Sequence, residues 1–364
     1  MRWFAQKYLV AQKPFCLILL WFFLYSLAVT FALAYAAPLD TVSFIPQWQP
    51  QAQFAGYYVA YEKGFYRERG LDVKILRGGP QKPPSEMLAQ GRADFGTMQL
   101  TAGIVRRARG IKLMDVCQLA QHSALMLVAR RSSGIIEPED IDGKRVGIWG
   151  EDFRGQLDAF FRKYNLKVQT VPQGTTLNLF LRGGVDVASA MWYNEYHLLL
   201  NAGLNPEELT AFFLAAHGLN FPEDGIYCLE KTYKDRPRVC RAFVQGTIAG
   251  WQYAFAHPEE ALDIVMKYVD EAHVPTNRIH QEWMLERMRT MILAAGPRGS
   301  IGGLDPNGAG LLNHVSIGPR GEHRVRRCGA DLDCHRDIEW QPEDVCKWRR
   351  LCRARRGQQP APGR

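Results

Sequence analysis

The sequence predicts a two-lobed α/β body closed by helices and followed by an irregular tail. Three observations carry that expectation. Short apolar strand-like runs alternate with helical stretches from residue 39 to 229, only helical patterns follow between 239 and 293, and periodicity fades after Gly296. Setting aside a 36-residue leader and a 68-residue tail leaves about 260 of the 364 residues, enough for one large domain or two ordinary lobes.

Apolar residues at 47% and charged residues at 23% exclude a disordered chain, a collagen and a multi-span membrane protein. The net charge of +8 sits at the ends, with an excess of +3 in residues 1–38 and +5 in residues 297–364. The body is therefore balanced and has no basic excess for a phosphate backbone, which argues against nucleic acid as a partner.

Lys7 and Lys13 precede an uncharged run from Pro14 to Pro38 that passes through Ala34-Tyr35-Ala36. A basic start, an apolar centre and small residues at a cleavage site are the pattern of a secretory signal, expected over residues 1–36. The run is also long enough to remain as a membrane anchor. Either outcome places the body outside the cytoplasm.

In the body, β-branched and apolar residues predict strands over 41–45, 71–76, 93–98, 113–119, 125–129, 145–149, 168–171, 185–191 and 225–229. The alternation with helices argues for parallel strands. A helix is expected over 52–69. Another spans 153–164, where Phe153, Leu157, Phe160, Phe161 and Tyr164 fall on one face. Helices then follow over 239–256, from Pro258, and over 278–293. Pro258-Glu259-Glu260 suits a first turn, because proline lacks the N–H left unpaired there and acids complement the helix dipole.

Several segments carry a resemblance. They are the stretch Trp48-Gln49-Pro50-Gln51-Ala52-Gln53-Phe54-Ala55-Gly56-Tyr57-Tyr58-Val59-Ala60, then Glu62-Lys63-Gly64-Phe65-Tyr66, Gly78-Gly79-Pro80, Gly91-Arg92-Ala93-Asp94-Phe95-Gly96, Gly143-Lys144-Arg145-Val146-Gly147 and Tyr193-Asn194-Glu195-Tyr196. In this order they resemble periplasmic solute-binding proteins of ABC importers, in the branch that handles thiamine-pyrimidine precursors and includes fungal pyrimidine synthases. The resemblance covers residues 39 to 295. It implies a type II-like periplasmic-binding-protein fold, with one lobe from 39–126 plus 223–296 and another from 127–222. It further implies a monomer that closes on one small molecule, needs no cofactor, and delivers its ligand to ABC permease subunits.

Ligands of open α/β sheets collect where strands end. Trp48, Gln53, Phe54 and Tyr57 follow the first strand and offer rings for stacking, although Phe54 and Tyr57 also fit the core face of a helix. Trp48, in a proline-flanked loop, is expected to be only partly buried. Glu151 and Asp152 open the helix at 153, where one carboxylate could receive an amino group and the other cap the helix. Tyr193, Asn194 and Glu195 repeat that position after the 185–191 strand, and carboxylate with carboxamide can pair with the edge of an aminopyrimidine. Glu195 would otherwise be a solvated first-turn acid. Asp224 fits the family's crossover segment or a turn.

An enzyme is not expected. The fungal synthases use a lysine-bound pyridoxal phosphate and their own histidine, and Met98 and Ala102 stand at the aligned positions here. Gly-x-Ser-x-Gly, His-Glu-x-x-His and Walker patterns are absent. His122, His197 and His217 read as structural or exposed. An extracytoplasmic sensor domain is the rival to a transport role. A Cys228–Cys240 bridge is conceivable. Cys328, Cys334, Cys346 and Cys352 lie in the tail at spacings unlike those of common zinc sites, and the tail from 297 is expected to be dispensable. Export with cleavage predicts a mature N-terminus at or next to Ala37, read by N-terminal sequencing of the exported protein; an intact Met1 confined to membranes would instead identify an anchor.

Overall fold

The computed structural model describes residues 38–293 together with Trp21, Ile301, Gly302 and two short segments near 320. The leader apart from Trp21, its cleavage site and the four tail cysteines lie outside the described residues. Among the described residues no helix is long and apolar enough to cross a membrane.

The chain opens with β1 (Asp40–Ile45), a 3-10 turn at Ala52–Phe54 and α1 (Ala55–Glu62). Then come β2 (Leu71–Ile75), α2 (Pro84–Ala89), β3 (Phe95–Met98), α3 (Leu100–Ala108) and β4 (Leu113–Ala120). A second series follows with β5 (Leu125–Arg130), β6 (Arg145–Ile148), a 3-10 turn at Glu151–Phe153, α4 (Arg154–Lys163), β7 (Gln169–Pro172) and α5 (Asn178–Leu181). It continues with β8 (Val187–Met191), α6 (Glu195–Asn201) and β9 (Leu209–Phe213). The chain returns as β10 (Glu223–Leu229) and closes with α7 (Glu230–Asp235), α8 (Pro237–Ala256), α9 (Pro258–Glu271) and α10 (Arg278–Leu293). Val315–Ile317 and His323–Val325 pair as an antiparallel ribbon, β11 and β12.

The strands form two five-stranded sheets, β2-β1-β3-β10-β4 and β7-β6-β8-β5-β9. The α/β class holds, but the sheets are mixed rather than parallel. β1 runs parallel to β2 and β3, whereas β10 is antiparallel to both β3 and β4. In the second sheet β6 is parallel to β7 and β8, and β5 is antiparallel to β8 and β9. The reversed strand is in each case the one arriving from the other sheet. β5 and β10 both enter at the end where their neighbours finish, and so must run away from it.

Phe95 stacks on Phe243 with ring centroids 4.2 Å apart, and Phe243 stacks on Tyr66 at 5.2 Å, which ties β3 and α8 to the turn before β2. Phe44 on β1 stacks on Tyr57 at 4.3 Å. Helices α1 and α8 touch backbone to backbone, and glycine is required on both sides. A Cβ on Gly250 would lie 2.0 Å from the Gly56 carbonyl oxygen, and one on Gly56 would lie 2.3 Å from the Trp251 ring.

Two local expectations are corrected. The 52–69 helix breaks at Gly64, whose φ of 78° stops α1. Cys228 and Cys240 are free thiols. Beyond the closing helix, Gly302 bridges Gln118 of β4. Replacing Gly250 by valine forces α1 and α8 apart and is expected to lower unfolding free energy by about 1–3 kcal/mol, measured by urea unfolding; a change within experimental error would show that the helices adjust freely.

Candidate functional site

Three loops converge from the ends of strands in both sheets. After β1, Pro46 to Gln51 and the turn at Ala52–Phe54 bring in Gln47, Trp48, Gln51 and Gln53. After β6 come Trp149 and Phe153, and after β8 come Met191, Tyr193, Asn194 and Glu195. Together these residues enclose a narrow cavity of about 20 Å3. Parallel strands point their carboxyl ends the same way, so their loops are the groups that meet across two facing sheets.

One wall of this cavity is aromatic. Trp48 lies edge-on to Trp149 at 6.3 Å and to Phe153 at 5.7 Å, so a ring from the first sheet's loop touches two from the second's. The glutamines of the lining belong to a hydrogen-bonded polar network centred on Asp224. Gln47 Nε2 donates to Asp224 Oδ1, Gln53 Nε2 donates to both Asp224 oxygens at 3.0 Å, and Gln51 Nε2 donates to Gln53 Oε1 at 2.6 Å. The Ala52 N–H donates to Gln281 Oε1 of α10 at 2.6 Å and so holds the turn.

Glu195 occupies the first turn of α6 but is buried rather than solvated. It accepts the Met191 N–H at 2.9 Å and an N–H of Asn194 at 2.8 Å. His280 Nε2 meets Asn194 Oδ1 at 2.9 Å, and His280 Nδ1 meets His197 Nδ1 at 2.8 Å. An amide oxygen only accepts, so His280 carries its proton on Nε2 and takes one from His197 on Nδ1. That relay fixes which face of the Asn194 amide turns to Glu195.

Burial raises the carboxyl of Glu195 to about 7, against the N–H groups of Met191 and Asn194 that favour its ionised form. Burial likewise lifts Asp224 to about 7 and Glu223 to about 8. Lysine and arginine are both absent from the cavity lining. The site therefore presents oxygen acceptors and rings, a combination suited to a flat ligand that brings hydrogen-bond donors.

Residues 51–261 match the family described as NMT1/THI5 like. The chain belongs to the NMT1/THI5-like family. Among curated relatives, a riboflavin-binding protein of Chloroflexus aurantiacus is 25% identical over 69% of this chain and 72% of its own length. A formylaminopyrimidine-binding protein of Halalkalibacterium halodurans is 24% identical over 73% and 82%. A 4-amino-5-hydroxymethyl-2-methylpyrimidine phosphate synthase of Saccharomyces cerevisiae is 28% identical over 41% of this chain and 42% of its own. The crystal structure of the periplasmic aliphatic sulphonate binding protein of Escherichia coli superposes with a TM-score of 0.57 at 14% identity, covering 76% of this chain and 89% of that one. The NMT1/THI5-like chain thus has the periplasmic-binding-protein fold.

Within this NMT1/THI5-like fold, Trp48, Gln53, Tyr193, Asn194 and Glu195 come together in the cavity, and Asp224 sits directly behind it on Gln53. Trp48 is only 6% exposed, more buried than a proline-flanked loop implies, because Trp149 and Phe153 cover it. Phe54 and Tyr57 lie outside the lining. Both are packed in the core, Tyr57 against Phe44 and Trp251. Glu151 and Asp152 cap no helix. Instead, Arg109 and Arg106 of the segment around α3 donate to them at 3.0 and 2.8 Å. His197 is buried and, through His280, reaches the site wall.

Gln47, Gln51, Trp149, Met191 and His280 were not singled out from sequence, and Phe153 was placed on the apolar face of a helix rather than in the site. The repeated glutamines straight after an apolar strand were the available signal, and Trp149 closes a strand just as Trp48 follows one.

Folded, the Glu195 carboxyl keeps its proton up to about pH 7, whereas unfolded it releases it near the ordinary carboxylate value. The folded state then holds the extra proton, so stability falls as pH rises through that window. In Glu195→Gln the loss of unfolding free energy between pH 5 and pH 8 is expected to be smaller, by up to about 3 kcal/mol. Urea unfolding at both pH values measures it, and equal losses in the two proteins would contradict the burial argument.

Proposed function

We propose that the protein is the extracytoplasmic solute-binding component of an ABC importer and captures a pyrimidine-type thiamine precursor, of the formylaminopyrimidine or hydroxymethylpyrimidine kind. The observation that carries this reading is the pairing of an aromatic wall, Trp48 with Trp149 and Phe153, with buried acceptors at Glu195 and Asp224 and no cation in the lining. A heteroaromatic ring gains about 0.5–1.5 kcal/mol per aromatic contact beyond burial. An amino group on that ring supplies the donors that buried carboxyls lack, and its arrival favours the ionised form of Glu195.

The ring is held between Trp48 on one side and Trp149 and Phe153 on the other, residues contributed by the two different sheets, so binding is coupled to closure of the two lobes. The lobes are assigned as residues 39–126 with 223–296 and residues 127–222. The closed form is delivered to permease subunits in the membrane after export. The formylaminopyrimidine-binding relative supports the ligand class. A sulfonate, by contrast, would need cations where this cavity has carboxyls. A binding role rather than catalysis agrees with Met98 and Ala102 at the positions of the synthases' lysine and histidine.

Riboflavin is a second reading, favoured by the relative that matches over most of its length. A thermal-shift panel with formylaminopyrimidine, hydroxymethylpyrimidine, riboflavin and taurine separates these readings. A ligand at a hundredfold excess over its dissociation constant adds about 2.7 kcal/mol to folded stability. A rise in melting temperature with an aminopyrimidine and none with taurine is the expected result; riboflavin alone would select the second reading, and taurine alone would overturn both.

A further inference from the structure

Past Gln51 and Asn194 lies a second cavity, of about 170 Å3 against about 20 Å3 for the aromatic one. Gln51 and Asn194 line both, so the two spaces share a wall. The second cavity has an apolar side made by Leu177, Leu181 and Leu198 and a polar rim that includes the hydroxyls of Thr175, Thr176 and Thr276. Its lining contains no Lys, Arg, Asp or Glu. The one titratable lining group, His280, is pushed down to about 4 by burial and is neutral at pH 7.

On the opposite side of Trp48 the character reverses. A cavity of about 180 Å3 there shares Gln47, Trp48 and Phe153 with the aromatic site and is lined by Glu86, Arg106, Glu151 and Asp152. The ring site is therefore flanked by one charged compartment and one uncharged compartment. An ionised group moved into the uncharged side would lose hydration and find no counter-charge. A neutral polar chain would exchange water for threonine hydroxyls at little net cost and lay its carbons on the leucines.

We propose that the cavity behind Gln51 and Asn194 is a second subsite, which takes a neutral hydroxyl- or amide-bearing substituent of the ligand, so that the ligand extends beyond a single ring. This rests on the pyrimidine reading of the aromatic site. It adds a direction, since the ring's substituent leaves toward Leu198 and Thr176 and away from Arg106. It also adds a rule of selection, in which a neutral chain is accepted and a charged one refused.

The test uses the full chain and isothermal titration at pH 7 with three 4-amino-2-methylpyrimidines. Their C5 groups are aminomethyl, a cation; formylaminomethyl, neutral and short; and glyceroylaminomethyl, neutral, longer and hydroxylated. The glyceroyl compound is expected to bind most tightly, about tenfold or more above the aminomethyl compound. Leu198→Trp fills the cavity and should weaken the glyceroyl compound more than the formyl one. Thr176→Glu, a change at an exposed rim residue, should weaken the glyceroyl compound and strengthen the aminomethyl one. Tightest binding by the aminomethyl compound, or variants that shift all three alike, overturns the subsite while the pyrimidine reading stands. No binding by any of the three refutes that reading and the subsite with it.

Discussion

Two adjacent buried acids, Glu223 and Asp224, hold the architecture together at the point where the chain recrosses between sheets. Glu223 accepts from Ser123 Oγ at 2.7 Å and from the Ala124 N–H at 3.1 Å, both on the outward crossing before β5. Asp224 accepts from Gln47 and Gln53 of the loop that carries Trp48. One dipeptide at the head of β10 thus ties the two crossings to each other and to the aromatic loop. Left unpaired, either acid would be a buried polar group costing about 1–3 kcal/mol or more. Asp224 also has a φ of 54°, a left-handed conformation that few non-glycine residues adopt. The surrounding hydrogen bonds fix it there.

That constraint explains the order of the site. The polar network orients the glutamines, the glutamine loop places Trp48, and Trp48 meets Trp149 and Phe153 from the other sheet. From the other side, α10 contributes Gln281 to the turn and His280 to Asn194. The closing helices are accordingly part of the site's frame as well as of the core.

Strand positions were legible because β-branched runs bounded by glycine mark them, and the limits of β2, β5, β7 and α10 fall within a residue or two of expectation. Strand direction was not, since it depends on which sheet a strand joins. β9 was missed because Leu209-Thr210-Ala211-Phe212-Phe213 follows two glutamates and runs into Leu214-Ala215-Ala216, a stretch with neither turn punctuation nor alternation. The rule that loops after strands meet at a site located Trp48, Tyr193, Asn194 and Glu195. It could not tell which side of α1 faces inward, and Tyr57 proved to be core. His280 was invisible for a different reason, being 85 residues beyond Glu195 and on a helix with no strand to mark its place.

Gly302 touches the outermost strand of the first sheet, since β4 ends the order β2-β1-β3-β10-β4. An outer strand offers unpaired backbone groups to any passing chain. Here Gln118 donates its N–H to the Gly302 carbonyl at 3.3 Å, and a Cβ at Gly302 would come within 2.9 Å of Cys117 Sγ. Gly302 is a single stitch of selvedge on the sheet. Without it the Gln118 N–H would lose this partner, and one position on the sheet's border would stand open to the backbone of another chain.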